Sequence, residues 1–279
     1  MPLLLAVRRL SLRPATSTGS TYLPAGELRC EFGTNQKVKD KADKDYTKRA
    51  EELGVEIDKY VYVFATPRNW PSGQKWASER RAEHKFADIK VIDAHTLEGW
   101  LQETPAVHYW LSERLGWHPR EAQTLQAWWT RFQKDAKIMM PPQFYGARRD
   151  EQTQKLLKAL QADRPIAPVS VASTCVRDVL AFVYAALEKR PELDRAIVIT
   201  DRAAWAHLVE CATPLLLIPR FSNPDTASAL ERGHRVLVAV NGDTYSQDDA
   251  TILLPKVGRQ EAAEILREAG VDFRRAERM

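Results

Sequence analysis

The chain has 279 residues, 44% hydrophobic and 28% charged, with a formal net charge of +4. That length accommodates two domains, each with a core of its own, and the composition excludes a disordered or fibrous chain. A charge this small does not by itself assign a polyanionic partner. Cys30, Cys175 and Cys211 are widely spaced and form no Cys-x-x-Cys. This excludes a disulfide framework and a zinc ribbon, and fits small buried thiols in a reducing, cytoplasmic setting. No apolar run approaches the ~18 residues of a membrane span, so no membrane partner is expected.

Residues 1–21 carry Arg8, Arg9 and Arg13 and no acid. The apolar run at 3–7 is too short for a signal-peptide core. An Arg- and Ser-rich start is also the mark of an organellar transit peptide; a disordered or misassigned start of a bacterial chain accounts for the same letters and is preferred. Pro24, Ala25 and Gly26 read as a turn, and 28–34, LRCEFGT, as a strand. A helix over 42–53 ends at Gly54. YVYVFAT at 60–66 is a strand by its β-branched and aromatic content. A charged helix follows at 75–86, a short strand at 89–92, and a helix through Trp100. Thr104, Pro105 and Gly116 delimit the next helix as N-cap, first helical residue and terminator. A helix over 121–136 carries Trp128 and Trp129. Met139-Met140-Pro141-Pro142 reads as the domain boundary, because two prolines break helix and sheet alike.

Beyond it, strands at 166–172, 196–200, 215–218, 236–240 and 252–254 alternate with helices near 150–161, 175–189, 202–210, 225–232 and 259–269. Such alternation predicts a mostly parallel sheet covered on both faces.

The stretch from Glu31 to Arg49, EFGTNQKVKDKADKDYTKR, is the densest in chemistry. Glu31 sits in a strand among apolar neighbours. Lys37, Lys39, Lys41, Lys44, Lys48 and Arg49 follow, mixed with Asp40, Asp43 and Asp45. A strand-borne carboxylate followed by lysines suits metal-dependent phosphodiester chemistry: the acid holds Mg²⁺, and a lysine orients water or stabilises phosphate charge. The competing reading is an ion-paired Glu and a solvated, charge-mixed helix.

GELRCEFGT, then Lys41-Ala42, Asp45-Tyr46 and Lys48-Arg49, followed by YVYVFATPRNWP, WASERRA, DIKVIDAHTLEGWL and PAVHYWL, resembles a bacterial PD-(D/E)xK restriction-endonuclease-like domain over roughly residues 22–140. The resemblance implies a DNA-associated protein of bacterial defence type that uses Mg²⁺ if active. Glu31 matches the second acid of the motif and is the implied metal ligand. The lysine two residues on is replaced by Gly33, and Lys41, at the family's Lys-Ala position, is the candidate substitute. Residues 1–30 contain no Asp, and their single Glu, Glu27, lies in the turn beside Gly26. The catalytic set is therefore incomplete, as though the start of a longer chain were lost, and impaired or lost cleavage is expected. Lys37, Lys39, Lys41, Lys44, Lys48 and Arg49 remain as weak nucleic-acid contacts, DNA before RNA.

The second half resembles, in layout only, the P-loop domain that follows such nuclease-like domains in signal-transduction ATPases. The 195–201 strand, ending at Asp201, stands where a Walker B strand would. Ser173-Thr174-Cys175-Val176-Arg177 occupies the phosphate-loop position without its glycines or lysine, so no nucleotide is expected. Asp201 is then a helix cap.

The fold expected is thus α/β: residues 1–21 unstructured, a restriction-endonuclease-like domain at 22–138 and a degenerate P-loop-like domain with a mostly parallel sheet at 143–279. The alternative function is a non-catalytic nucleic-acid- or protein-binding scaffold, or the remnant of a longer multidomain protein whose further domains are its partners. The six histidines show no ligand spacing. Trp128-Trp129 reads as core rather than a base-stacking pair, and Arg80, Arg81, Lys85 and Lys90 as a solvated face rather than phosphate contacts.

Overall fold

The computed structural model describes residues 15–117, 119–135, 140–163, 165–241 and 251–268. The chain divides into two compact units after Gln102.

The first unit holds β1 (Ala15–Thr18), β2 (Ala25–Phe32), α1 (Val38–Leu53), a 3-10 turn, β3 (Tyr60–Ala65), α2 (Gly73–Arg81), β4 (Asp88–Ile92) and α3 (Ala94–Glu103). Its sheet runs β1-β2-β3-β4; β1 is antiparallel to β2 and the others are parallel. Strand alternation divides the side chains between two faces. Leu28, Val61, Val63, Ala65 and Ile92 pack on one. Tyr62, Phe64, Ile89 and Val91 pack on the other, against Val38, Ala42 and Tyr46 of α1 and Trp76 and Ala77 of α2. Val38, Ala42 and Tyr46 recur at helical spacing, which makes α1 amphipathic and pins one side of it to the sheet. Full burial of each large apolar side chain stabilises by about 1.5–3 kcal/mol.

The expected unstructured start is corrected in part. Residues 1–14 lie outside the described residues, but Ala15–Thr18 form β1, paired with Ala25–Leu28. Without β1, the first half of β2 would be an edge with unmet backbone groups. β2 also starts at Ala25, inside the expected turn, and Gly26 accommodates this with a φ of +123°. α1 begins at Val38 rather than at 42.

The second unit holds α4 (Pro105–Arg114), β5 (Ala122–Thr124), α5 (Leu125–Asp135), α6 (Pro142–Gly146), α7 (Asp150–Leu160), β6 (Val169–Ser173), α8 (Val176–Leu187), a 3-10 turn, β7 (Ala196–Ile199), α9 (Arg202–Val209), β8 (Leu216–Pro219), α10 (Thr226–Glu231), β9 (Arg235–Asn241), β10 (Ile252–Leu253) and α11 (Arg259–Glu268). The sheet order is β10-β6-β9-β8-β7-β5, parallel throughout except for β5 against β7.

The division falls after Gln102 and not at Met139–Pro142. β5 pairs with β7 through Ala122–Ile199 and Thr124–Ile197. Leu125 and Trp129 of α5 enter the same core as Leu180 and Tyr184 of α8. Pro142 opens α6 with Pro141 as its N-cap, but the start of a helix is not a break in a core. The expected 121–136 helix is β5 followed by α5. Among the described residues no helix is long and apolar enough to cross a membrane.

Candidate functional site

Lys41, Asp45 and Arg49 recur every four residues along α1 and so share one face. That face meets Glu31 of β2. Arg49 donates from Nε to Glu31 Oε1 at 2.9 Å, and its Nη2 reaches the same oxygen. Both side chains are 13% exposed. Arg49 Nη1 donates to Glu52 at 2.6 Å. One turn back, Lys41 pairs with the buried carboxylate of Asp45. Beneath them lies Tyr62, fully buried. Burial first, and then the negative charges of Glu31 and Asp45, holds its phenol well above the usual range. Neither the Tyr62 hydroxyl nor Asp45 Oδ2 has a hydrogen-bond partner among the described residues.

Gly33 has no room for a side chain. A Cβ there would stand 2.7 Å from Cζ of Phe64 and 3.1 Å from Cγ of Lys41. The Lys41 stem thus passes over the position from which a Glu-x-Lys lysine would emerge. Its ammonium is committed to Asp45, however, rather than open beside Glu31. A resident Mg²⁺ does not fit this donor set. Glu31 and Asp45 are each matched by a cation of the chain, and Mg²⁺ requires oxygen ligands in near-octahedral order. Among the described residues, no three His, Cys, Asp or Glu side chains converge on a metal position. In the structure Glu31, the implied metal ligand, is paired with Arg49, and Lys41, the implied charge stabiliser, with Asp45.

The expected cationic contacts separate into groups. Lys37, Lys41 and Lys44 line one surface depression of about 420 Å³ with Asn35 and Asp40. Their spacing, four residues and then three, places them along one flank of α1. Lys48 continues the row and lies 3.7 Å from Glu52. Lys39 belongs to the opposite flank, beside Asp43, whose carboxylate accepts from Trp76 and Arg80 at 2.7 Å each. Arg49 points inward to Glu31 and is withdrawn from the surface set. Arg80, Arg81 and Lys85 are engaged by Asp43, Asp88 and Glu83. Tyr62 reads in the sequence as strand core only, and Asp45 as part of a solvated helix, whereas both are buried beside Glu31 and Lys41. The recurrence of Lys41, Asp45 and Arg49 on the inner edge of an amphipathic helix was the available signal.

In the second unit, the connection leaving β6 runs toward β7, whereas β10, next after β9, lies on the far side of β6. Such a reversal opens a crevice at the carboxyl ends of the two strands, where α/β sheets bind ligands. Ser173 and Asn241 end these strands side by side. The first turn of α8 there carries Asp178. Arg149, 4% exposed, donates to both oxygens of Asp178 and to the carbonyls of Tyr145 and Pro255. Ser173 Oγ donates to Asp178 at 2.7 Å. The first turn of α8 thus carries a carboxylate of the chain's own, held by Arg149 and Ser173.

Asp201 caps α9, accepting from the N–H groups of Ala203 and Ala204. Trp129 stacks on Tyr184 with ring centroids 4.5 Å apart, and Trp128 on Phe132 at 5.0 Å, so neither presents an open platform. Compared with protein-family models, curated proteins and solved structures, the chain has no match in any of the three.

Proposed function

We propose that the first unit is a nucleic-acid-binding module of restriction-endonuclease-like layout that holds phosphates without cutting them, and that the second is a degenerate P-loop-like domain that carries no nucleotide. The observation that supports this best is the juxtaposition of two things on α1. Lys37 and Lys44 line one depression, with Lys41 at the edge where that flank meets the Glu31 side, while Arg49 closes Glu31. Phosphate contacts need only positive charge near the backbone. Cleavage needs a carboxylate free to hold a metal, and Glu31 is not free. For the second unit, a doubly wound strand order and Asp178 in the first turn of α8 favour the layout without the ligand.

Fluorescence anisotropy with labelled duplex and single-stranded DNA, repeated over a range of salt, tests the reading. Weak binding is expected. Replacing Lys37, Lys41 and Lys44 together by Gln should flatten the slope of log affinity against log salt by roughly two to three units. Lys39→Gln, on the other flank, should leave it unchanged. An unaltered slope in the triple variant would remove α1 from the interface.

A further inference from the structure

A groove of about 1000 Å³ runs between α4, α5 and the 3-10 turn of the second unit, outside both sites described above. α4 presents Val107, Trp110 and Arg114 to it, residues spaced three and four apart and so on one face. α5 presents Ala127, Arg131 and Lys134, again one face. Val107 is 49% and Trp110 41% exposed, high values for side chains of that size. One wall is therefore aliphatic and aromatic, and the other turns basic toward its end.

The charges of the groove do not balance. Arg114, Arg131 and Lys134 form no ion pair among the described residues. The carboxylates lining it are Glu113 and Asp194. Glu113 is engaged by Thr124, accepting from its N–H at 3.1 Å and from its hydroxyl at 3.1 Å. Three cations therefore share the groove with two carboxylates, and Glu113 is turned toward Thr124. An exposed apolar strip flanked by an excess of positive charge, with Arg131 and Lys134 one turn apart on α5, suits a partner with apolar and acidic surfaces side by side.

We infer that this groove docks an acidic amphipathic helix of a protein partner, with apolar side chains on the Val107–Trp110 wall and carboxylates against Arg131 and Lys134. The chemistry of the wall favours a helix over a nucleic-acid strand. The Arg114 guanidinium lies 5.5 Å from the Trp110 ring centroid and covers one face of the indole. Val107 offers no π surface. Successive bases would find a single half-covered platform, whereas stacking sites supply one ring for each base. Apolar residues at helical spacing on a peptide match the helical spacing of Val107 and Trp110 on α4.

The test is a selection on the full-length chain from a displayed library of random peptides of roughly 14 residues, long enough for a helix matching α5. Trp110→Ala and the double variant Arg131→Glu/Lys134→Glu are screened in parallel. All three positions are exposed, and circular dichroism spectra of the variants should match wild type. Enriched peptides should carry Asp or Glu together with Leu, Phe or Trp at i, i+3 or i+4, and i+7. A synthetic copy should gain helicity on binding and lose about tenfold or more in affinity with either variant. No enrichment over the variants would overturn the proposal, as would enriched peptides that are basic or lack helical spacing. So would tighter binding of oligothymidylate than of any selected peptide, lost in Trp110→Ala, since the groove would then be a nucleic-acid site.

Discussion

The guanidinium of Arg149 meets the carboxylate of Asp178 side-on, Nη1 to Oδ1 and Nη2 to Oδ2 both at 3.0 Å. Arg149 also donates to the carbonyls of Tyr145, at the end of α6, and Pro255, just after β10. One buried cation thus ties together segments far apart in sequence. Replacing Arg149 by Met leaves Asp178 partly buried without its cation. The cost expected is about 3–5 kcal/mol, read as a lower urea midpoint for the second unit. Arg149→Met/Asp178→Leu should be less destabilised than the sum of the single variants. Simple additivity would show that the pair is not coupled.

The same pair bears on the proposed absence of a nucleotide from the second unit. A phosphate at the start of α8 would face the Asp178 carboxylate, which takes up the positive end of the helix dipole. Calorimetry with Mg·ATP should give no saturable heat. A micromolar dissociation constant would refute the proposal that the second unit carries no nucleotide.

Cleavage should be absent or close to background on plasmid and single-stranded DNA with Mg²⁺. Mn²⁺, which binds such ligands more tightly, should reveal a trace at most. Glu31→Gln and Lys41→Ala should behave as wild type in this assay. Robust cutting that Glu31→Gln abolishes would mean that Arg49 releases Glu31 when substrate binds.

Restoring the motif lysine as Gly33→Lys should fail. The new Cβ would stand 2.7 Å from the ring of Phe64, which is fully buried and has no room to withdraw. Overpacking of this kind typically costs about 1–3 kcal/mol. The expected result is a lower thermal midpoint with no gain of nuclease activity. A variant as stable as wild type would show that Phe64 can yield.

His234 makes the second unit sensitive to acid. It is fully buried, accepts from the Leu215 N–H at Nδ1 and faces the Val209 carbonyl with Nε2. Burial pushes its pKa below the ordinary 6.5. A depressed pKa means that the unfolded chain takes up the proton first. The stabilisation is complete above about 6.5 and lost as pH falls below it. Urea midpoints of the second unit should drop between neutral pH and pH of about 5, and more steeply than in His234→Gln. Equal slopes would exclude His234 as the source.

The sequence by itself determined the local elements whose letters carry a period or a cap. YVYVFA declared a buried strand, Thr104-Pro105 a helix start and Asp201 a cap, because each depends on residues within a turn or two. The alternating layout of the second half was legible for the same reason. Lys37, Lys41 and Lys44 were legible as a basic set, but their separation from Lys39 was not, because the helix is expected only from residue 42, whereas α1 begins at Val38 and gives these lysines their helical spacing. Only the tertiary structure decided that Arg49 closes Glu31, across eighteen positions of chain, and that Phe64 denies Gly33 a side chain. It likewise placed the division of the chain after Gln102, since β5 finds its partner β7 more than seventy residues away. Such contacts are chosen by register and packing among elements remote in sequence, and no local pattern records which carboxylate a given guanidinium will meet.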